Sequence, residues 1–335
     1  MAVRLGKSTI QFSNKPSVIG YGSVVGKKEY EGPLSAEFDT HDDDSRFGED
    51  SYEMAESRMQ KIAVETALRR ANISENDIDI IFAGDLLNQC VGSTFGLRAM
   101  GIPFSGIYGA CSTMTLGLIL ASVSVDCGAA DRAIAVTSSH FCSAERQYRF
   151  PLEYGSVRPQ SAQWTVTGSG ATIISMGENK PYIDKAVFGT ITDLGVKDAN
   201  NMGAAMAPSA ANTLIEFFKD TDSKPNDYDA IFTGDLGKVG TDLLYILTEQ
   251  NGFDIKERHN DCGLMIFDRK RQDVHAGGSG CGCSASILNS YVLRRFESGA
   301  YKNILFMSTG ALLSPTSTMQ GQSIPGISHL VNLRI

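Results

Sequence analysis

The sequence predicts an α/β protein built from two duplicated halves that face one another as a five-layer α/β/α/β/α sandwich. Three observations lead there. Asp77-Ile-Asp-Ile-Ile-Phe-Ala-Gly-Asp85-Leu86 returns 150 residues later as Asp227-Tyr-Asp-Ala-Ile-Phe-Thr-Gly-Asp235-Leu236. Each copy is a polar turn and then a short apolar run ending in Gly-Asp, the pattern of a buried strand entering a loop. A second echo follows in the same order: residues 111–124, small residues leading into an apolar helix-like run, match 283–296, and a strand follows each, at 132–138 and 303–309. Strands and helices also alternate along both halves, which implies mainly parallel sheets with helical crossovers. The halves are expected to divide as 1–177 and 178–335.

Element by element, residues 17–25 read as a strand. Residues 53–71 read as an amphipathic helix, because Met59, Ile62, Ala63, Thr66 and Ala67 fall at i, i+3, i+4, i+7 and i+8. A strand at 80–83, a short helix at 92–100, a strand at 106–108 and a central helix at 111–127 follow, and strands at 133–138 and 171–175 close the first half. The second half is expected to repeat the plan. It has strand 183–191, helix 209–219, strand 230–233, helices 241–250 and 284–296, and strands 304–308 and 328–332. Two inserts interrupt it. Residues 29–53 hold Asp39, Asp42, Asp43, Asp44, Glu49 and Asp50, and lack the ligand spacing and glycine of an EF-hand, so they read as a solvated acidic loop. Residues 146–162 mix aromatics, Arg146, Arg149, Arg158 and two prolines, and read as a lid, a subunit contact or a plain surface loop.

With 335 residues, 42% apolar and 20% charged, the chain is long enough to bury a large core. A net charge of −8 argues against nonspecific nucleic-acid binding and against docking on an anionic membrane by charge alone. The 34 glycines suit the tight loops of an α/β protein. Seven cysteines, with no apolar leader at the start, predict free thiols in a reducing, intracellular setting. The longest apolar stretch, 114–125, is broken by Gly117, Ser122 and Ser124 and is too short to span a bilayer.

The chemistry is expected at Tyr108-Gly109-Ala110-Cys111-Ser112-Thr113, which follows a short strand and opens an apolar helix. That is the arrangement of a nucleophile elbow: a thiol there feels the helix N-terminus, which favours thiolate, and the N–H groups can hold an oxyanion or carboxylate. Asp85 and Asp235 end equivalent strands, and the carboxyl ends of strands line the crevice in α/β sheets. Both are therefore candidate ligand-binding residues, with loop capping as the competing role. His140, after the strand at 133–138, is a further candidate at the cleft. His41 and His259 are expected in exposed polar loops, His275 ordering a loop and His329 as a structural histidine. His275, Cys281 and Cys283 supply too few ligands for a structural zinc site, so no metal is expected.

The two-copy Gly-Asp pattern, the Gly-Ala-Cys-Ser elbow and the late Gly-Cys-Gly-Cys-Ser-Ala-Ser segment together resemble the thiolase superfamily, especially its β-ketoacyl synthase III-like members, over nearly the whole chain. The resemblance implies a thiolase-like fold and a Cys–His–Asn condensing site. Here the segment after strand 230–233 is Gly234-Asp235-Leu236-Gly237-Lys238, with no His, and Cys281 stands where the family's Asn falls. Cys111 is thus a vestigial nucleophile and no catalytic residue is expected. Tyr21-Gly22-Ser23, residues 272–279 (Gln-Asp-Val-His-Ala-Gly-Gly-Ser) and Ile324-Pro325-Gly326-Ile327 resemble a branch of the superfamily found in spore-forming bacteria. That branch is associated with binding dipicolinic acid, pyridine-2,6-dicarboxylate, and with its uptake into the spore. The resemblance implies a non-catalytic binder of dipicolinic acid or its calcium complex, with Asp85, Cys111, His140, Asp235 and Cys281 as the ligand-binding set and no cofactor. It also implies a homodimer at the cytoplasmic face of the spore inner membrane, with stage V sporulation A membrane proteins as partners. In the last expectation Asp85 bridges calcium to the ligand and the helix after Cys111 holds one carboxylate. The alternative is a condensing or acyl-transfer enzyme using Cys111 with an unconventional base such as His140.

Overall fold

The short apolar runs that end in Gly-Asp become the inner strands of two half-sheets with the same plan. The computed structural model describes residues 2–148, 157–177 and 181–335. The first half-sheet contains β1 (Ser17–Gly26), β2 (Ile80–Gly84), β3 (Phe104–Gly106), β4 (Arg132–Ser139) and β5 (Gly168–Ser175) in the spatial order β3-β2-β4-β5-β1. The second contains β6 (Tyr182–Val187), β7 (Ala230–Thr233), β8 (His259–Asp261), β9 (Asn303–Ala311) and β10 (Gly326–Arg334) in the order β8-β7-β9-β10-β6. Position for position the two orders are identical, so the repeated sequence is a repeated topology. β2, β3 and β4 are parallel, as are β7, β8 and β9, while β5 and β10 run antiparallel to their neighbours. The half-sheets touch edge to edge through one pair, Tyr182 opposite Ser17. β4 and β9 are buried along nearly their whole length, as strands covered on both faces must be.

Helices supply the remaining layers. α1 (Tyr52–Ala71) covers the outer face of the first half-sheet. Its N-cap Ser51 accepts from Met54 N–H at 3.2 Å, and it ends at Asn72 in the left-handed conformation. α2 (Val91–Leu97) lies beside it. α3 (Thr113–Asp126) is apolar nearly all round because it packs on β4 and β5 of one half and β9 and β10 of the other. α7 (Cys281–Ile287) shares this central layer and runs through a π-turn at Leu288–Val292 into a last turn at Leu293–Glu297. α5 (Met202–Thr221) and α6 (Gly237–Gln250) cover the outer face of the second half-sheet. The layers are therefore α/β/α/β/α, as the sequence predicts.

Several element boundaries differ from expectation. α5 begins at Met202 rather than at 209, because Pro208 sits inside the helix instead of preceding it. β3 lies at Phe104–Gly106, two residues before the expected position. β8 was not anticipated: His-Asn-Asp has no apolar period, and only its parallel pairing with β7 makes it a strand. The acidic insert is also more than a solvated loop. Thr40–Asp42 pairs with β1, and Asp39 accepts from Arg70 at 2.7 Å and Arg294 at 2.8 Å. A helix, α4 (Phe141–Tyr148), runs into the second insert, whose residues 149–156 lie outside the described residues.

Candidate functional site

Cys111 sits between the strand-loop that leaves β3 and the first turn of α3. Ala110 has φ +50°, the strained turn expected of an elbow. The turn closes on itself: Ser112 N–H donates to Gly109 O at 3.1 Å, Thr113 N–H to Ala110 O at 3.3 Å, and the Thr113 hydroxyl accepts from Gly109 N–H at 3.0 Å. The Ser112 and Thr113 N–H groups are thereby spent, so the helix start does not offer a carboxylate all the donors expected of it. β9 passes directly behind, and only glycine permits it. A Cβ on Gly310 would lie 2.5 Å from Gly109 O.

Asp235, the residue that ends the second Gly-Asp repeat, lies beside Cys111. It is fully buried. One carboxylate oxygen accepts from the Thr309 hydroxyl at 2.7 Å, and the other accepts from Gly280 N–H at 2.8 Å and the Ser279 hydroxyl at 3.2 Å. Burial pushes this carboxyl up to about 7, against hydrogen bonds from Cys111, Thr309 and Gly280 that pull it down. Burial also pushes the Cys111 thiol well above its usual range, and the Asp235 charge beside it adds to the rise. The expected thiolate-favouring effect of the helix is thus overridden by desolvation and a neighbouring acid. Cys281 donates its S–H to Ser138 O at 2.9 Å and packs with Cys111, Leu86 and Ala144.

The other expected residues fall elsewhere. Asp85 is buried behind the elbow, where Oδ1 accepts from Leu87 N–H at 2.9 Å and Oδ2 accepts from Ser93 N–H at 2.7 Å and the Ser93 hydroxyl at 2.6 Å. It caps the loop into α2, the competing role named for it, and does not line the cavity at Cys111. Its burial raises the carboxyl. His140 lines a separate cavity with Lys28 and Trp164. Its Nε2 donates to Ser45 O at 2.6 Å and its Nδ1 accepts from Cys142 N–H at 3.1 Å, so neither nitrogen reaches Cys111 as a base. His259 is buried rather than exposed: its ring bridges Thr233 at 2.8 Å and Tyr245 at 3.1 Å, and burial pushes it down to about 3. His275 orders a loop through Pro159 O at 2.8 Å. Among the described residues no group of three or more His, Cys, Asp or Glu side chains is placed to hold a metal ion.

The chamber that does open onto Cys111 holds only about 30 Å³, room for a water or two. Its wall is mostly apolar, with Leu86, Ala144, Met202 and Leu313, and its polar groups are Tyr108, Glu145, Tyr148, Thr165 and Ser279. Sequence reasoning missed Glu145, buried and within 3.3 Å of the Thr165 hydroxyl. Glu145 and Tyr148 stand one helical turn apart on α4, a helix that starts before the insert at 146–162 and for which no element was expected. Tyr108 lay within the elbow string itself but was not singled out.

A thiol on a strained turn at the centre of a duplicated 3-2-4-5-1 sheet defines the fold of the condensing enzymes. Solved structures agree. The chain is similar to 3-oxoacyl-[acyl-carrier-protein] synthase III from Aquifex aeolicus VF5 at 16% identity and TM-score 0.58, over 96% of this chain and 100% of that one. It is likewise similar to a variant of Xanthomonas campestris OleA at 12% identity and TM-score 0.62, over 97% of this chain and 100% of that one. The family model for stage V sporulation protein AD matches residues 6–334, and the Bacillus subtilis (strain 168) protein of that name is 43% identical over 324 residues, 97% of this chain and 96% of that one. The chain belongs to the stage V sporulation protein AD family. Its role is therefore in sporulation, and among the described residues no helix is long and apolar enough to cross a membrane.

Proposed function

We propose that the chain is a non-catalytic binder of dipicolinic acid that uses the chamber at Cys111 and supports uptake of the acid into the developing spore. The observation that carries the loss of catalysis is Asp235. A buried carboxyl stands where an activating imidazole is needed, and the thiol beside it is held protonated. Removing one oxyanion donor costs about 10²–10³ in rate, and here base and donor are both replaced. Membership of a sporulation family supports the choice of ligand. The protein would act as a homodimer at the cytoplasmic face of the spore inner membrane, beside stage V sporulation A membrane proteins. Incubation with acyl-CoA or acylated carrier protein, read by intact mass, is expected to leave Cys111 unmodified; an acylated Cys111 would restore the condensing-enzyme alternative.

An apolar chamber bearing Glu145 disfavours a free dianion, since none of the described residues lining it is basic. A calcium complex removes that conflict, since calcium takes oxygen ligands from carboxylates. Because Glu145 lines the chamber and Asp85 does not, the calcium dependence of binding belongs to Glu145. Titration calorimetry with dipicolinate, with and without calcium, is expected to show tighter binding with calcium in the wild type and in Asp85→Asn, and no calcium effect in Glu145→Gln. Equal affinity in the wild type under both conditions would remove the metal from the proposal.

A further inference from the structure

The chamber beside Cys111 is narrowed by a specific pair of side chains. Tyr108 and Tyr148 hydroxyls lie 3.1 Å apart. Tyr148 donates its proton to Leu86 O, so it accepts from Tyr108. Both rings line the inner chamber of about 30 Å³, and both also line an outer groove of about 360 Å³ whose other walls include Leu87, Asn88, Cys90 and Pro315. Leu313 is shared in the same way. The tyrosines thus stand between the two spaces, with the outer groove on one side and the thiol on the other. No ring-sized molecule fits the inner space while they stay paired.

The partition is tied to two segments of the chain, the end of α4 and the loop after β2. On one side is the C-terminal turn of α4, where Gln147 Nε2 donates to Leu86 O at 3.2 Å and to Asn88 Oδ1 at 3.1 Å, and Gln147 Oε1 accepts from Asn88 N–H at 3.2 Å. On the other is the loop after β2, in which Gln89 (φ +57°) and Cys90 (φ +53°) are consecutive left-handed residues without being glycine. Such backbone persists only where the surroundings hold it, and it gathers at switch regions and ligand clamps. Here the surroundings that hold it include the α4 hydrogen bonds.

We propose that Tyr108 and Tyr148 form a gate between the outer groove and the Cys111 chamber, and that their parting joins the two spaces into one site that admits a planar ring bearing carboxylates. The inference rests on the chamber being the ligand site proposed above, yet the gate itself is testable without that ligand. The probe is the thiol of Cys111, labelled in the full-length protein by a small reagent (methyl methanethiosulfonate) and by a bulky one (N-phenylmaleimide), with modified sites read by peptide mass mapping. Both reagents need the same thiolate, so the protonation of Cys111 cancels in the ratio of their rates, and the ratio reports passage by size.

The expected result is strong discrimination against the bulky reagent in the wild type. Tyr108→Phe, which loses the bond between the rings, should relax it somewhat. Tyr148→Phe, which also loses the Leu86 tether, should raise the bulky-to-small ratio about tenfold, the population change that accompanies loss of one or two hydrogen bonds. Tyr148→Ala should raise it further. Cys262 and Cys283 are buried and do not line the chamber, so they report on unfolding within the same samples. Acceleration confined to Cys111 supports the gate. An unchanged ratio across all variants overturns it, as does acceleration shared equally with Cys262 and Cys283. Loss of dipicolinate binding in the wild type would leave the labelling result standing and overturn only the ligand assignment.

Discussion

Glu56 and Asp85 form a buried acidic pair just behind the elbow. Glu56 accepts from the Ser138 and Ser143 hydroxyls, each at 2.9 Å, and Gln60 Nε2 donates to Ser93 Oγ, Ser138 Oγ and Gly84 O around it. Burial pushes the Glu56 carboxyl up to about 8, and the neighbouring Asp85 charge adds to the rise. A carboxyl raised in the folded state holds a proton that the unfolded chain has already lost. Its contribution is complete at pH below the unfolded carboxylate range and falls as pH rises toward 8. Asp235, raised to about 7, acts in the same direction. Melting temperature is therefore expected to fall between pH 5 and pH 8. Glu56→Gln, which keeps the shape without the charge, should flatten that slope. An unchanged slope in Glu56→Gln would show that Glu56 is ionised in the fold.

At the scale of elements, the site depends on how closely β9 and the elbow approach. Thr115 Oγ1 donates to the Ser308 hydroxyl at 2.7 Å across this contact, tying the central helix to the second half-sheet. Gly310 is the point of closest approach. Gly310→Ala places a methyl group against Gly109 O and within 3.0 Å of Ser112 N. Overpacking of a tight interior costs about 1–3 kcal/mol, and the same displacement moves Cys111. The expected outcome is a lower denaturation midpoint together with weaker ligand binding, measured by urea titration and calorimetry on one sample. A variant with wild-type stability and affinity would show that β9 can retreat.

For the whole molecule, the outermost strand of the first half-sheet, β3, leaves its far side unpaired along the described sheet. Phe104 on it and Phe95 on α2 are exposed, at 42% and 54%, and an open strand edge with exposed apolar side chains is a ready site for pairing. That edge is where the proposed homodimer would form, each chain extending the other's sheet. Sedimentation at micromolar concentration is expected to give a dimer for the wild type and a monomer for Phe104→Arg. A wild-type monomer would remove the dimer, and a dimeric Phe104→Arg would move it to another face.

The sequence by itself determined the duplication, the layer order and the elbow at Cys111. Those rest on patterns short enough to read locally: apolar runs that must be buried, glycines that must turn, and a helix apolar on all sides. It also showed that the segment after the second Gly-Asp repeat has no His, which is read directly from the chain. It could not tell whether Asp85 faces a ligand or its own loop, since an aspartate after Gly reads the same in both cases. Only folding brought Leu87 N–H and Ser93 to it. Nor could it find α4, whose helical end is held only when Gln147 and Tyr148 are set against Leu86 and Asn88, about sixty residues earlier in the chain. The walls of the chamber come from both halves, so its size, its Glu145 and its pair of tyrosines are properties of the tertiary structure alone. Contacts across that separation carry no signature in the local pattern from which strands and helices are read.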